Sequence, residues 1–355
     1  MFIVCILLTG LTTATAAHMS SSPSSPIPTT MTSVHRGLLG CQTPFNCVKT
    51  RIIPTPTPKA GEVLIAVGGS SVNPCDVDYV EYGVGCPGAA GTLGMDAAGT
   101  IVAVGSGVDR LKVGDEVWAD GGGIVGDTGA MAQYAILSEA QTGLKPKSLN
   151  MTEAGTIPLV GLTALECLIK AGLEARETES NLTVVITSGS GGTGFIGVQL
   201  AKHVFNAKHV VTATTGAATI ALIKSFGADV VIDYTKDEIF DALPDDSVDI
   251  VFDNFGSKGT ADKAMRTIRS GGTYLILPGG GGGTISKHPK AGVRQINFGL
   301  TTSTNHSGLD SLAQWFDAGK LQAHVFGTWT LETAKGAFAA NKAGQVVGKV
   351  AVTAQ

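Results

Sequence analysis

The chain has 355 residues, of which 43 % are apolar and only 15 % charged, enough for a large buried core, which excludes disorder over most of its length. That length makes two domains the expectation. Lys plus Arg is 25 against Asp plus Glu 29, a net charge of −4 that argues against a nucleic-acid groove or an anionic membrane as the main partner.

Residues 2–17 (FIVCILLTGLTTATAA) form an uncharged apolar run, too short to span a bilayer comfortably. It looks like a secretory segment with a small-residue cleavage site at Ala14-Thr15-Ala16, yet lacks the basic residue expected before it. Residues 18–33 are a Ser/Pro/Thr linker, and a start at Met31 would make everything upstream an extension. Of the three sequons, at Asn150, Asn181 and Asn305, the second opens a predicted core strand and is badly placed for a glycan. A cytoplasmic protein is the expectation and a secreted one the alternative. The six cysteines (Cys5, Cys41, Cys47, Cys75, Cys86 and Cys167) contain no CxxC pair and read as buried or incidental thiols of a reducing compartment.

From residue 62 short Val/Ile-rich strands are broken by glycines: EVLIAVGGSSV, AAGTIVAVGSGV, DEVWAD and MAQYAIL. This spacing predicts a small β-barrel-like domain. Residues 152–171 have helical apolar spacing, interrupted by Pro158 and Gly161. From residue 182 strands alternate with helices: LTVVITS, a helix over 194–205, HVVTATT, a helix over 217–226, ADVVID, VDIVFDN, a helix over 260–268, and TYLILPG. Such alternation marks a doubly wound parallel sheet covered on both faces. The tail returns to strands, QAHVFGTWTL and KVAVTA, around a helix over 332–341, so the chain crosses back to complete the first domain.

Thr187-Ser188-Gly189-Ser190-Gly191-Gly192-Thr193-Gly194 follows a buried strand and opens a helix. Glycines there permit a tight turn and close approach, and the helix amino terminus offers free N–H groups to a pyrophosphate. An NAD site would place an acid at the end of the next strand, where this chain has Thr214-Thr215-Gly216. Thr214 and Thr215 can donate to a 2′-phosphate, which favours NADPH. Residues 279–283 are five glycines after TYLILP, either a surface loop or backbone above the nicotinamide; Gly279 and Gly280 are its candidate contacts.

Five runs, SSVNPCDVDY, GTLGMDAAGTIVAVGSGVDRLKVGDEVWA, IPLVGLTALECL, SGSGGTGFIGVQLAK and SFGADVVIDY, resemble the medium-chain dehydrogenase/reductase superfamily in its zinc-free quinone oxidoreductase branch. The resemblance spans residues 34–355. It implies an α/β fold with a GroES-like β-barrel catalytic domain (34–150 plus 299–355), a Rossmann doubly wound domain (151–298), and residues 1–33 outside both. Zinc-dependent relatives carry Cys where this chain has Asn73 and His-Glu where it has Met95-Asp96, so no metal is expected.

By the same resemblance Asn73 and Asp76 line the substrate side of the cleft, although Asp76 could equally cap the following turn. Tyr79 and Tyr82 are the substrate-side tyrosines, offset from the pattern of relatives. Ser188, Gly191, Gly192, Thr193 and Gly194 form the cradle, Tyr234 contacts the cofactor, and Asn254 faces the ribose. A lysine that commonly grips the 2′-phosphate falls at Ala218.

Hydride transfer from NADPH to a quinone is the expected reaction, with the anion stabilised by Asn73 and backbone amides. Reduction of the C=C bond of an alkenal, alkenone or enoyl thioester is the alternative. An NADPH-binding protein with a structural or nucleic-acid-binding role is a third possibility of another class. A homodimer or homotetramer is expected from relatives, with the apolar stretch 271–277 as a candidate edge strand. His288 and His306 are possible proton donors, a solvated surface role being the plainer reading.

Overall fold

The computed structural model describes residues 26–354 apart from 38–39, 84–90, 122–128, 279–280 and 300–303. β1 (Thr30–His35) and β2 (Lys49–Pro54) form an antiparallel ribbon. The ribbon starts inside the stretch read as linker because Met31 and Ser33 are buried and Val34 N–H donates to Met131 C=O. β3 (Glu62–Val72) is followed by α1 (Pro74–Tyr82), a helix with no clear apolar period. Pro74 suits its first turn, Gly83 at φ 74° ends it, and Val77 and Val80 anchor it against Leu331 and Phe338.

β4 (Asp96–Val104), β5 (Glu116–Asp120), β6 (Tyr134–Ser138) and β7 (Gly143–Leu144) complete the first part of the barrel-like domain. α2 (Met151–Ala154) and α3 (Pro158–Ala171) then lead across, divided where Pro158 lacks its N–H. The second domain runs β8 (Ser180–Ile186), α4 (Gly192–Gln199), β9 (Ala207–Thr214), α5 (Ala217–Ser225), β10 (Val230–Asp233) and β11 (Val248–Asp253). It continues with α6 (Thr260–Ala264), β12 (Ile268–Ile276) and β13 (Arg294–Asn297). α7 (Ser307–Asp317), β14 (Val325–Thr330), α8 (Ala334–Lys342) and β15 (Lys349–Thr353) close the chain. The helix expected over 194–205 is α4 continued by a π-helical turn at Leu200–Val204.

The six strands of the second domain lie in the order β10-β9-β8-β11-β12-β13, all parallel. Their order reverses between β8 and β11, the switch point at which a dinucleotide binds across the carboxyl ends of the strands. β12 is interior, so the stretch 271–277 is not an edge; β13 lies outside it and is the edge. The other large sheet runs β14-β15-β3-β4-β5-β7, with β6 also on β3. The chain does return: β15 pairs antiparallel with β3, aligning Val350 with Val72.

The two domains share a core. Ala98 and Trp118 of the barrel side pack in one cluster with Ile157, Leu162 and Leu165 of the α2–α3 region. α7 adds Leu309, Leu312 and Phe316, and the Phe316 ring meets Trp118 edge-on at 6.2 Å.

Three of the cysteines depart from the reading as thiols, and Cys167 keeps to it. Cys41 and Cys47 are joined in a disulfide with Cα atoms 5.8 Å apart. Cys75 is also disulfide-bonded, and Cys167 is a buried free thiol whose pKa burial raises.

Candidate active site at the seam between the domains

The glycine-rich loop leaves the carboxyl end of β8 at the switch point, and two of its glycines are dictated by contact. A Cβ at Gly194 would lie 1.7 Å from the Ser188 carbonyl oxygen, and one at Gly189 would lie 2.4 Å from Thr212 Oγ1. Gly191 differs: its backbone is extended (φ −71°), and a Cβ would meet nothing nearer than Ser188 Oγ at 3.4 Å. Open space over Gly191, with α4 beginning at Gly192, is what a pyrophosphate needs for close approach to helix N–H groups. The residues present therefore fit a dinucleotide. Gly192 and Thr193 form the first turn of α4 and are half-buried.

Asn254, expected at the ribose, clamps the loop. Its Oδ1 accepts from Ser188 N–H and its Nδ2 donates to Ser188 C=O, both at 2.9 Å. Asp253 beside it accepts from Thr187 Oγ1 (2.8 Å), Gly256 N–H (2.9 Å) and the buried Tyr274 hydroxyl (2.6 Å). Burial and that carboxylate drive the Tyr274 phenol pKa upward, so it stays a donor.

At the end of β9 Thr214 Oγ1 donates to Ser190 Oγ (2.7 Å) and Thr215 Oγ1 donates to Asp233 Oδ1 (3.0 Å). An acid thus reaches this corner after all, from the end of the neighbouring strand β10. Asp233 also accepts from Thr235 Oγ1 (2.7 Å) and pairs with Lys236 Nζ at 2.9 Å. These donors hold its carboxyl well below the usual carboxylate range. Tyr234 follows, 61 % exposed at the same corner. Gly279 and Gly280 lie outside the described residues.

Opposite the loop is a buried polar cluster built from four elements. Asn73 (2 % exposed), Asp76 (1 %), Asp96 (0 %) and Lys349 (3 %) meet where β3 turns into α1. Lys349 Nζ donates to Asn73 Oδ1 at 2.5 Å and to Val72 C=O at 3.3 Å, and lies 3.6 Å from Asp96 Oδ2. Asn73 Nδ2 donates to Asp96 Oδ2 (2.7 Å) and Asp76 Oδ2 (3.2 Å). Ammonium on one side and carboxylates on the other leave the amide a single orientation. Asp96 Oδ2 accepts from Ser71 Oγ (2.5 Å), while its Oδ1 accepts from Leu159 N–H of α3 (2.7 Å), tying the barrel to the second domain.

Asp76 caps α1, accepting from Asn73 N–H at 2.8 Å. Burial raises its pKa from 3.8 to about 7, opposed by that N–H and reinforced by Asp96. Lys349 is pushed the other way by burial, against the pull of Asp96 and Asp76.

The structure brings Asn73 and Asp76 to the seam but not the two tyrosines. The Tyr79 ring packs against the Val77–Phe338 core, with the Arg36 guanidinium 5.4 Å from its centroid. Tyr82 is 59 % exposed at the far end of α1. Both Nδ2 hydrogens of Asn73 are given to carboxylates, those of Asp96 and Asp76. His306 binds Asp310 at 2.5 Å at the start of α7, and His288 is exposed.

A zinc ion does not fit these donors. The Asn73 oxygen faces an ammonium, the Met95 thioether packs with Leu159 and Cys75, and Asp96 is committed to hydrogen bonds. Among the described residues no group of three His, Cys, Asp or Glu side chains is placed to hold a metal.

Lys349, Asp233 and Lys236 are absent from the sequence reading. Lys349 carries a visible signal: a cation that opens an apolar strand with buried neighbours must find partners in the core.

A Rossmann sheet with a glycine loop at its switch point, facing a buried polar cluster on a barrel domain, defines a two-domain nicotinamide-dependent oxidoreductase. Comparison with known proteins agrees. Residues 59–147 match the alcohol dehydrogenase GroES-like domain and residues 226–352 match a zinc-binding dehydrogenase family. The chain is 33 % identical to a 2-methylene-furan-3-one reductase of Solanum lycopersicum over 308 residues, covering 84 % of this chain and 74 % of that one. Identity to a chloroplast envelope quinone oxidoreductase homolog of Arabidopsis thaliana is 39 % over 191 residues, 52 % of this chain and 56 % of that one. A solved quinone oxidoreductase from Coxiella burnetii shares the fold with a TM-score of 0.75 at 23 % identity, over 92 % of this chain and 100 % of that one. The chain belongs to the medium-chain dehydrogenase/reductase superfamily, in its quinone oxidoreductase branch.

Proposed function

We propose that the protein reduces a quinone with NADPH bound on the Ser188–Gly194 loop. The observation that carries this reading is the closed polar cluster. Asn73, Asp76, Asp96 and Lys349 satisfy one another, so their donor atoms are already committed and Asn73 keeps no free amide hydrogen to polarise an isolated carbonyl. An acceptor activated by its own conjugation suits such a site. NADPH bound there supplies a hydride. The chain's residues orient and exclude: Asn254 fixes the loop, Asn73 and Asp76 form the opposite wall, and the one proton that completes the reduction after hydride transfer comes from water.

Reduction of a conjugated C=C bond is the second reading. It is supported by the relatives aligned over 84 % of the chain, the furanone reductase above and an NADPH-dependent alkenal/one oxidoreductase of Arabidopsis thaliana at 33 % identity. The preference for NADPH rests on Lys236, the cation beside Thr215 and Asp233. The Cys41–Cys47 disulfide supports an oxidising compartment over the expected cytoplasm. A homodimer paired through the β13 edge is the proposed assembly.

The test follows oxidation of NADPH with a para-quinone, an enone, an enal and a saturated aldehyde, with and without a chelator. Chelator-insensitive quinone turnover is expected. Turnover confined to the enone and enal would move the assignment to C=C reduction, and saturated-aldehyde turnover abolished by chelator would overturn both.

A further inference from the structure

A fully buried lysine is costly unless its charge is matched, and no step above uses Lys349. Its surroundings say what it does. The ammonium holds Asn73 Oδ1 and Val72 C=O and faces Asp96. Its stem lies against the cofactor loop from the other side, where a Cβ on Gly192 would fall 2.8 Å from Lys349 Cδ. The backbone repeats this link: Gly348 N–H donates to Ser190 C=O at 2.8 Å. One side chain therefore touches both walls of the site.

We propose that Lys349 is a positioning residue that sets the substrate wall (Asn73, Asp76 and Asp96) in register with the glycine loop. The proposal rests on the cofactor reading of that loop. The charged groups facing the ammonium are Asp96 of β4 and Asp76 of α1; Asn73 Oδ1 and Val72 C=O complete its shell without charge, while Ser71 and the Leu159 N–H of α3 hold Asp96. Lys349 is held at its tip by Asn73 Oδ1 and Val72 C=O, so a group pressing on its stem acts on a side chain already tied to the wall.

The test uses Lys349→Met, which keeps the stem and removes the charge, and three readouts. These are NADPH affinity by fluorescence, carboxyl titration by carbon NMR of labelled aspartate, and steady-state kinetics. Affinity for NADPH is expected within about threefold of wild type. The Asp76 titration is expected to move up by about one pH unit or more once the nearby cation is gone. Turnover is expected to fall about tenfold or more with the KM for NADPH nearly unchanged. Gly192→Ala, pressing on Lys349 from the cofactor side, is expected to move the same titration.

An unshifted titration with unchanged kcat, and only a lower melting temperature, would overturn the proposal. If Lys349→Met does not fold, Lys349→Arg decides: its wider guanidinium cannot reproduce both contacts, so unchanged kcat there would also overturn it. Should no acceptor be turned over, the functional reading fails while the Gly192→Ala titration, which leaves the charge in place, still decides this one: an unshifted Asp76 there would overturn the coupling.

Discussion

Asp76 sits in an environment that its sequence context does not announce: burial raises its pKa to about 7 from the usual 3.8. Between those values the native state binds a proton that the unfolded chain releases. The stability contribution is therefore lost as pH rises from about 4 to about 7 and is constant above. Asp76→Asn keeps an oxygen to accept from Asn73 N–H and removes the ionisation. It is expected to be more stable than wild type at pH 8, by on the order of a few kcal/mol, with the difference vanishing near pH 4. Urea unfolding at both pH values checks this, and an equal difference at both would refute the assignment. Lys236 makes a separate claim: Lys236→Ala is expected to raise the KM for NADPH about tenfold while leaving that for NADH nearly unchanged. Neither environment was legible in the sequence. Asp76 follows a proline in a short helix, and its burial depends on β15, more than 270 residues away.

At the scale of the element, the glycine loop was legible because its chemistry is local: a buried strand, glycines and a helix in immediate succession. Two substitutions separate its roles. Gly194→Ala places a methyl against the Ser188 carbonyl and is expected to cost about 1–3 kcal/mol of stability along with cofactor binding. Gly191→Ala meets only Ser188 Oγ at 3.4 Å, so the melting temperature should hold while NADPH affinity falls about tenfold or more. Calorimetric titration and thermal melting of both variants check the pair, and retained NADPH affinity in Gly191→Ala would contradict the cradle. Elements fixed by distant contacts were harder to read. α1 has no helical period and exists because Val77 and Val80 fill the core near Phe338. α7 carries Leu309, Leu312 and Phe316 at helical spacing, but its packing against Trp118 joins residues nearly 200 apart. Thiol pairing was equally invisible, since Cys41 and Cys47 match no spacing rule.

For the whole molecule, strand periodicity and order indicated both domains and the return of the tail, while the seam between them had to be seen. There Asp96 joins Leu159, Gly348 joins Ser190, and Lys349 reaches both walls. On the proposed function this seam moves a hydride from NADPH to a conjugated acceptor without a metal. A single-turnover experiment tests it most directly: metal-stripped protein holding one equivalent of NADPH is mixed in a stopped-flow instrument with a para-quinone, and separately with an enone. Complete loss of the reduced-nicotinamide signal with at least one acceptor, at a rate unaffected by added zinc, is the predicted result. A signal that persists with both until zinc is restored would contradict the account.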